Sequence, residues 1–263
     1  MAGKITKYLL KKSSYLLLLC LGYYPILKAQ EKVNFEFSFL TEREGLSNNR
    51  ILCMLKDSDG FLWIGTIDGL NRYDGSHFVV FKTNHKDTTT LANNAVHALC
   101  EDKDGNIWAA TEDGISYYSK KTNKFQNFKK LNGQKFARCS QIICDKNGDI
   151  WFVSGDGLFH LSKKTRKIRS LFQNPANINS ISSNDIFSLK EYASENSIWI
   201  ATATGVNYVD INSEQFYNAT NNPAKYPFLN NHEINILTIN DDKLIFADYT
   251  QSKIIVAGLR DKK

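Results

Sequence analysis

The sequence has little of what catalysis or membrane crossing would need. No segment after residue 30 keeps its apolar residues at a 3.6-residue period, so helix should be nearly absent. The five histidines, His77, His85, His97, His160 and His232, are dispersed, and none stands in a recognisable nucleophile or metalloprotease pattern. There is no Cys-x-x-Cys, no His pair at metal-ligand spacing and no phosphate-binding loop, so no catalytic residue, metal ligand or cofactor is assigned. Asp57-Ser58-Asp59-Gly60, echoed at Asp102 and Asp145, lacks the third ligand and the closing Glu of a calcium loop. Lying between strand-like runs, it reads as a hairpin turn. After residue 30 no apolar run is long enough to span a membrane.

What the chain does have is a repeat. Leu46-Ser47-Asn48-Asn49, an apolar run, Asp57-Ser58-Asp59-Gly60-Phe61-Leu62-Trp63-Ile64-Gly65-Thr66 and Asp68-Gly69-Leu70 return as Leu91-Ala92-Asn93-Asn94, Asp102 to Trp108 and Asp113-Gly114-Ile115. A third copy carries Asp145 to Trp151 with Asp156-Gly157-Leu158, and a fourth carries Ile181 to Asn184, Ile198 to Thr202 and Gly205-Val206. The four tryptophans therefore fall at 63, 108, 151 and 199, and a period of that size with several strand-like runs per unit is the signature of propeller blades.

One unit shows why. Ile51 to Leu55 is an apolar run of strand length, Asp59-Gly60 supplies a tight hairpin turn, and Phe61 to Thr66 is rich in aromatic and β-branched residues. Asp68-Gly69 turns again, Leu70 to Tyr73 makes a third strand and Phe78 to Phe81 a fourth. The expected fold is all-β: a β-propeller of four-stranded antiparallel blades, with four clear repeats and a degenerate fifth, in an open arc or a five-bladed ring. The blades run over about 41–85, 86–130, 131–175, 176–222 and 223–260, the last having lost both its Trp and its Asp-Gly turns. Val33 to Leu40 alternates like a fourth strand and would close a ring by completing the fifth unit.

A Trp at one fixed place per blade reads as filling between blades, with sugar stacking the alternative for Trp63, Trp108, Trp151 and Trp199. Gly65 is small where strands pack closely. The Asn pairs read as turn residues whose side chains bond their own backbone. Cys53, Cys100, Cys139 and Cys144 take four different places in the repeat and read as buried small hydrophobes, with one disulfide left open and Cys139–Cys144 a poor pair.

Residues 1–29 are different text. Lys4, Lys7, Lys11 and Lys12 precede the apolar run Tyr15 to Gly22, and Ala29 follows, which describes a secretory signal peptide cleaved after Ala29. Leu27 at minus three leaves the cut site open; Cys20, preceded by Leu19, makes a poor lipoprotein site, and an uncleaved anchor is the further alternative. With Lys28, this segment holds five lysines and no acid, so of the net charge of +6 only +1 remains beyond it. The basic balance thus gives no case for nucleic acid, and Lys120-Lys121, Lys129-Lys130 and Lys163-Lys164 read as solvated turn charges.

Residues 46 to 74, Leu-Ser-Asn-Asn through Asp-Gly-Leu-Asn-Arg-Tyr-Asp, closely resemble the two-component-regulator propeller repeat, and the resemblance extends over about residues 33 to 260. It implies the periplasmic sensor region of a hybrid two-component system, in which a β-sandwich, a membrane span and kinase, receiver and DNA-binding modules follow the propellers. Many such sensors respond to oligosaccharides released from a glycan. The chain departs from that pattern in having no span after residue 30, no kinase segment and fewer repeats, and it reads as an N-terminal piece. The resemblance implies an exported, non-catalytic module with an oligosaccharide ligand and a parent homodimer. A propeller lyase or hydrolase and a protein-interaction propeller are the alternatives. Binding residues stay unassigned; loops out of register with the repeat, His85 to Thr90 and Pro223 to Pro227, are where a ligand would be sought.

Overall fold

The computed structural model describes residues 37–155, 157–229 and 231–260. The chain divides into two units, Met1–Phe39 and Leu40–Lys263, and the sheets belong to the second. The expected signal peptide and Val33 to Glu36 of the expected closing strand lie outside the described residues, while Phe37 to Leu40 carry no strand.

Each repeat folds as an antiparallel meander. Sheet 1 is β1 (Ile51–Lys56), β2 (Leu62–Thr66), β3 (Gly69–Tyr73) and β4 (Phe78–Phe81), within a residue or so of the sequence-based strands. Sheet 2 is β5 (Val96–Glu101), β6 (Ile107–Thr111), β7 (Gly114–Ser119) and β8 (Lys124–Phe128). A small hairpin, β9 (Lys130–Leu131) and β10 (Gln134–Lys135), precedes sheet 3, which is β11 (Cys139–Cys144), β12 (Ile150–Ser154), β13 (Leu158–Leu161) and β14 (Ile168–Leu171). Sheet 4 is β15 (Ile186–Tyr192), β16 (Ser197–Thr202), β17 (Gly205–Asp210) and β18 (Phe216–Tyr217). Sheet 5 has three strands, β19 (Ile234–Asn240), β20 (Lys243–Asp248) and β21 (Lys253–Gly258). The only helical turns among the described residues are the 3-10 turns Glu42–Glu44 and Ala193–Glu195.

The sheets pack in series. One core cluster lies between sheets 1 and 2 around Trp63, one between 2 and 3 around Trp108, one between 3 and 4 around Trp151 and one between 4 and 5 around Trp199. All four indoles are essentially inaccessible to solvent, which makes them inter-sheet filling and removes the sugar-stacking alternative. In sheet 5 the register places Ile245 where the other sheets have Trp, and the face it shares with Ile236, Ile254 and Val256 stays exposed. Gly65 is needed for close approach: a Cβ there would lie 2.5 Å from Cys53 Sγ and 2.9 Å from the Val96 carbonyl.

Two devices recur that the sequence did not announce. The first strand of every sheet carries a β-bulge after its first residue, between Ile51/Cys53, Val96/Ala98, Cys139/Gln141, Ile186/Ser188 and Ile234/Ile236. The Asp that opens each β1–β2-type turn is also a socket for its own Trp. Asp57, Asp102 and Asp145 accept the indole N–H of Trp63, Trp108 and Trp151 at 2.8, 3.2 and 2.9 Å, as well as backbone N–H groups of the turn. Sheet 4 has no such Asp, and Trp199 Nε1 is buried without a hydrogen-bond partner among the described residues. Trp63→Phe should therefore cost about 1–3 kcal/mol more than Trp199→Phe, because only the former strips a buried acceptor of its donor. Chemical denaturation of the two variants, with equal losses, would count against this.

The cysteines require a correction. Cys100 on β5 and Cys144 on β11 form a disulfide between the first strands of sheets 2 and 3, so they are not two buried hydrophobes. Cys139 is buried and fits that description, Cys53 is half-buried, and desolvation pushes both thiols up to about 12.

Candidate functional site: the cleft on sheet 3

The meander gives the sheets two different ends. One carries the β1–β2-type and β3–β4-type turns and is occupied by structural charge. Lys120, leaving β7, reaches back to sheet 1 and lies 2.9 Å from the fully buried Asp57 carboxylate, 2.7 Å from Asp59 and 3.3 Å from Glu101. Burial alone would raise the Asp57 pKa. The Lys120 ammonium, the Trp63 indole and the Phe61 N–H outweigh that and hold it below the usual carboxylate range. Lys163 repeats the arrangement from sheet 3 to Asp102 and Asp104. Asp145 has no such lysine; Asp149 and His160 lie close enough to it to form a candidate cation cluster. That cluster is satisfied by the protein itself: Asp145 by its turn and Trp151, and His160 by Asp149 at 3.1 Å and Glu214 of sheet 4 at 3.0 Å.

The other end carries the bulges, the β2–β3-type turns and the connections from one sheet to the next, and the clefts open there. In sheets 1, 2 and 4 this end is tied down by polar contacts. Asn71, Ser116 and Asn207, at one register position on the third strand, accept the backbone N–H of Ser47, Ala92 and Ser182 in the lead-in loop. Asn48 and Asn93 accept N–H groups two residues on, as expected, while Asn94 and Asn184 reach the preceding connection at Thr83 and Gln173. Just past the fourth strand, Lys82 and Lys129 pair with Asp68 and Asp113 of the turn.

Sheet 3 breaks each of these rules with an aromatic ring. Phe159 stands at the Asn71 register position, opposite Phe152. Phe136 of the lead-in meets both rings edge-on, at 5.3 Å from Phe152 and 5.1 Å from Phe159. Phe172 stands where Lys82 and Lys129 do; its ring is edge-on to Phe159 at 5.6 Å and 48% exposed. It lies so close over Gly157 that a Cβ there would fall 2.0 Å from the ring. The result is a cleft of about 430 Å³ whose lining includes Phe136, Phe159 and Phe172 together with the polar Gln134, Lys135, Ser154 and Ser170. Lys135 is shared with a neighbouring cleft of about 780 Å³ that runs to loop residues Asn84 to Thr90. Aromatic faces beside uncharged hydrogen-bonding groups are what binds a ring with an apolar face and polar rim.

The two loops singled out from sequence are placed differently. His85 to Thr90 lines the larger cleft, yet it is in register after all: the connection recurs ninety residues on, with Asn84 and Asn174, and Thr90 and Ser180, making the same self-bonds. In Pro223 to Pro227 the one core residue is Tyr226, buried against Trp199 and Tyr208, while Pro223, Lys225 and Pro227 are exposed. Phe136, Phe159 and Phe172 were missed because aromatics on and beside strands look like core in sequence; the signal available was that sheet 3 has no counterpart of the Leu46–Asn49, Leu91–Asn94 and Ile181–Asn184 lead-ins. The histidines are spread over separate sheets, His97 beside Glu112 and His232 beside Asp248.

Comparison with known proteins places these features in context. The family described as two component regulator propeller matches residues 45–68 and 90–113. A curated relative, histidine kinase P4 of Formosa agariphila, is 42% identical over 65 residues, which is 25% of this chain and 5% of that protein. Among solved structures, the extracellular domains of two putative hybrid two component systems of B. thetaiotaomicron are each 20% identical. They superpose with TM-scores of 0.54 and 0.63, over 85% and 83% of this chain and 36% and 30% of theirs. Virginiamycin B lyase of Staphylococcus aureus shares the fold at 14% identity and a TM-score of 0.58, over 81% of this chain and 71% of its own. The chain thus spans about a third of the extracellular domains it resembles and a small part of the curated kinase.

Proposed function

Given a chain that carries two-component-regulator propeller repeats, we propose that its sheets are the ligand-sensing module of an exported two-component sensor and that the ligand is a glycan-derived oligosaccharide. The observation that carries the reading is the sheet 3 cleft, where three polar tethers of the repeat are given up for Phe136, Phe159 and Phe172 at the end of the sheets that opens to solvent. Natural sequences break their own local rules mainly at functional sites. Export is supported by the extracellular neighbours and by the Cys100–Cys144 disulfide, a bond that persists in oxidising compartments. Among the described residues no helix is long and apolar enough to cross a membrane.

Signal passage would follow from population shift: a ligand that holds the sheet 2 and sheet 3 loops in one arrangement favours one state of a parent dimer. No phosphotransfer or other catalysis is assigned to this chain. The lyase reading has only a shared fold behind it, and the histidines do not converge on a cleft. The test is isothermal titration of the full chain with a panel of plant and host-glycan oligosaccharides. Saturable binding of one class is the expected result, and a flat titration with every member would sink the reading.

A further inference from the structure

Among the described residues the hairpin β9–β10 occurs in one connection only, between sheets 2 and 3, and it contains an electrostatic conflict. Its register sets Lys130 directly opposite Lys135. Directly opposed residues of an antiparallel pair project from the same face with Cβ atoms about 5 Å apart, and like charges there are destabilising. Neither ammonium has a carboxylate within ion-pair distance among the described residues, whereas the adjacent Lys129 is committed to Asp113 and the Ala92 carbonyl. Both side chains are exposed, and both line the larger cleft, with Lys135 also on the rim of the aromatic one.

A repulsive pair in a two-stranded hairpin is hard to explain by folding. The same two residues would hold an anion well. A charge between them removes the repulsion and gains charge-assisted hydrogen bonds on both sides. Phe172, half-exposed in the lining of the same aromatic cleft as Lys135, offers a flat apolar surface, and Gln134, Ser154 and Ser170 of that lining offer uncharged hydrogen-bonding groups. Each feature selects a different part of one ligand.

We propose that this site takes an acidic saccharide, one sugar ring stacked on Phe172 and an anionic substituent held by Lys130 and Lys135. The inference rests on the sensor reading and adds to it the position of the site and the charge of the ligand. Neutral sugars would be discriminated against because they leave the lysine pair uncompensated.

The test is titration of the full chain with three trisaccharides: an oligouronate, the same oligouronate after carboxyl reduction, and a sulfated neutral trisaccharide. The variants are Phe172→Ala, Lys130→Ala, Lys135→Ala and Lys135→Arg. All are at exposed or half-exposed positions, so circular dichroism should show them folded. The oligouronate or the sulfated sugar should bind at least about tenfold more tightly than the reduced one, and each alanine variant should lose about tenfold for the anionic ligand, with Lys135→Arg retaining most of it. Which anionic probe binds distinguishes carboxylate from sulfate. Equal binding of acidic and reduced forms would overturn the charge assignment and leave the sensor reading intact. Binding unaffected by all four substitutions would overturn the site and again leave sensing intact. No binding of any saccharide overturns both.

Discussion

Replacing Cys100 and Cys144 together by alanine is expected to destabilise the chain by about 2–4 kcal/mol. The bond closes a loop with a sequence separation of 44, and the chain-entropy cost of closing such a loop in the unfolded state is about 4 kcal/mol, of which natural disulfides commonly deliver half or more. For a domain of this size that is a fall of roughly 4–16 °C in melting temperature. The effect is specific to this pair. Cys53 and Cys139 are packed thiols, and Cys53→Ala should be felt only as a small cavity. Wild type in excess dithiothreitol should melt where the double variant does. Identical melting of wild type with and without reductant would remove the disulfide from the account. Because the bond joins the two sheets that carry the clefts, its loss should also weaken ligand more than a variant of equal stability on sheet 5.

The second large effect is at Asp57. Its carboxylate is fully buried, 2.8 Å from both the Trp63 indole nitrogen and the Phe61 amide nitrogen and 2.9 Å from Lys120 of the next sheet. Asp57→Ala leaves the buried Trp63 indole and the Phe61 amide without an acceptor and takes one carboxylate from Lys120, which keeps Asp59 and Glu101, and should cost about 2–4 kcal/mol. The same geometry fixes a pH dependence. The folded-state value lies below the ordinary aspartate value of about 3.9, so the stability this group confers is complete above that value and is lost as pH falls through the lower folded one. Wild type should therefore lose stability more steeply than the Asp57→Ala variant on acidification below about pH 4. Parallel acid curves for the two proteins, from chemical denaturation at a series of pH values, would show that the carboxylate is not paired as described.

How much of this was readable in the sequence follows from what repeats and what does not. The strands of sheet 1 were legible because Asp59-Gly60 and Asp68-Gly69 punctuate short runs rich in apolar, aromatic and β-branched residues. The tryptophans were legible as filling because a residue of that size at a fixed place in each unit can hardly be solvated. The contacts between sheets were not. Cys100 and Cys144 sit eight and seven residues before their tryptophans, so alignment on the repeat hides that stacking brings them together. Lys120 and Asp57 are 63 residues apart in the chain and meet only because the β3–β4-type turn of one sheet leans over the β1–β2-type turn of the one before. The cleft was hidden by the repeat in another way. Phe159 looks like one more core aromatic until the register shows it standing where Asn71, Ser116 and Asn207 hold the lead-in loop.

The most direct test of the account is thermal unfolding of the full chain, followed by tryptophan fluorescence, with and without acidic and neutral oligosaccharides. The indoles report from every inter-sheet core at once, and a ligand that binds only the folded state raises the midpoint by mass action. The account predicts one cooperative transition that moves upward with a saccharide in wild type and moves clearly less in Phe172→Ala at the same ligand concentration. Midpoints unmoved by every saccharide, or moved equally in wild type and Phe172→Ala, would contradict it.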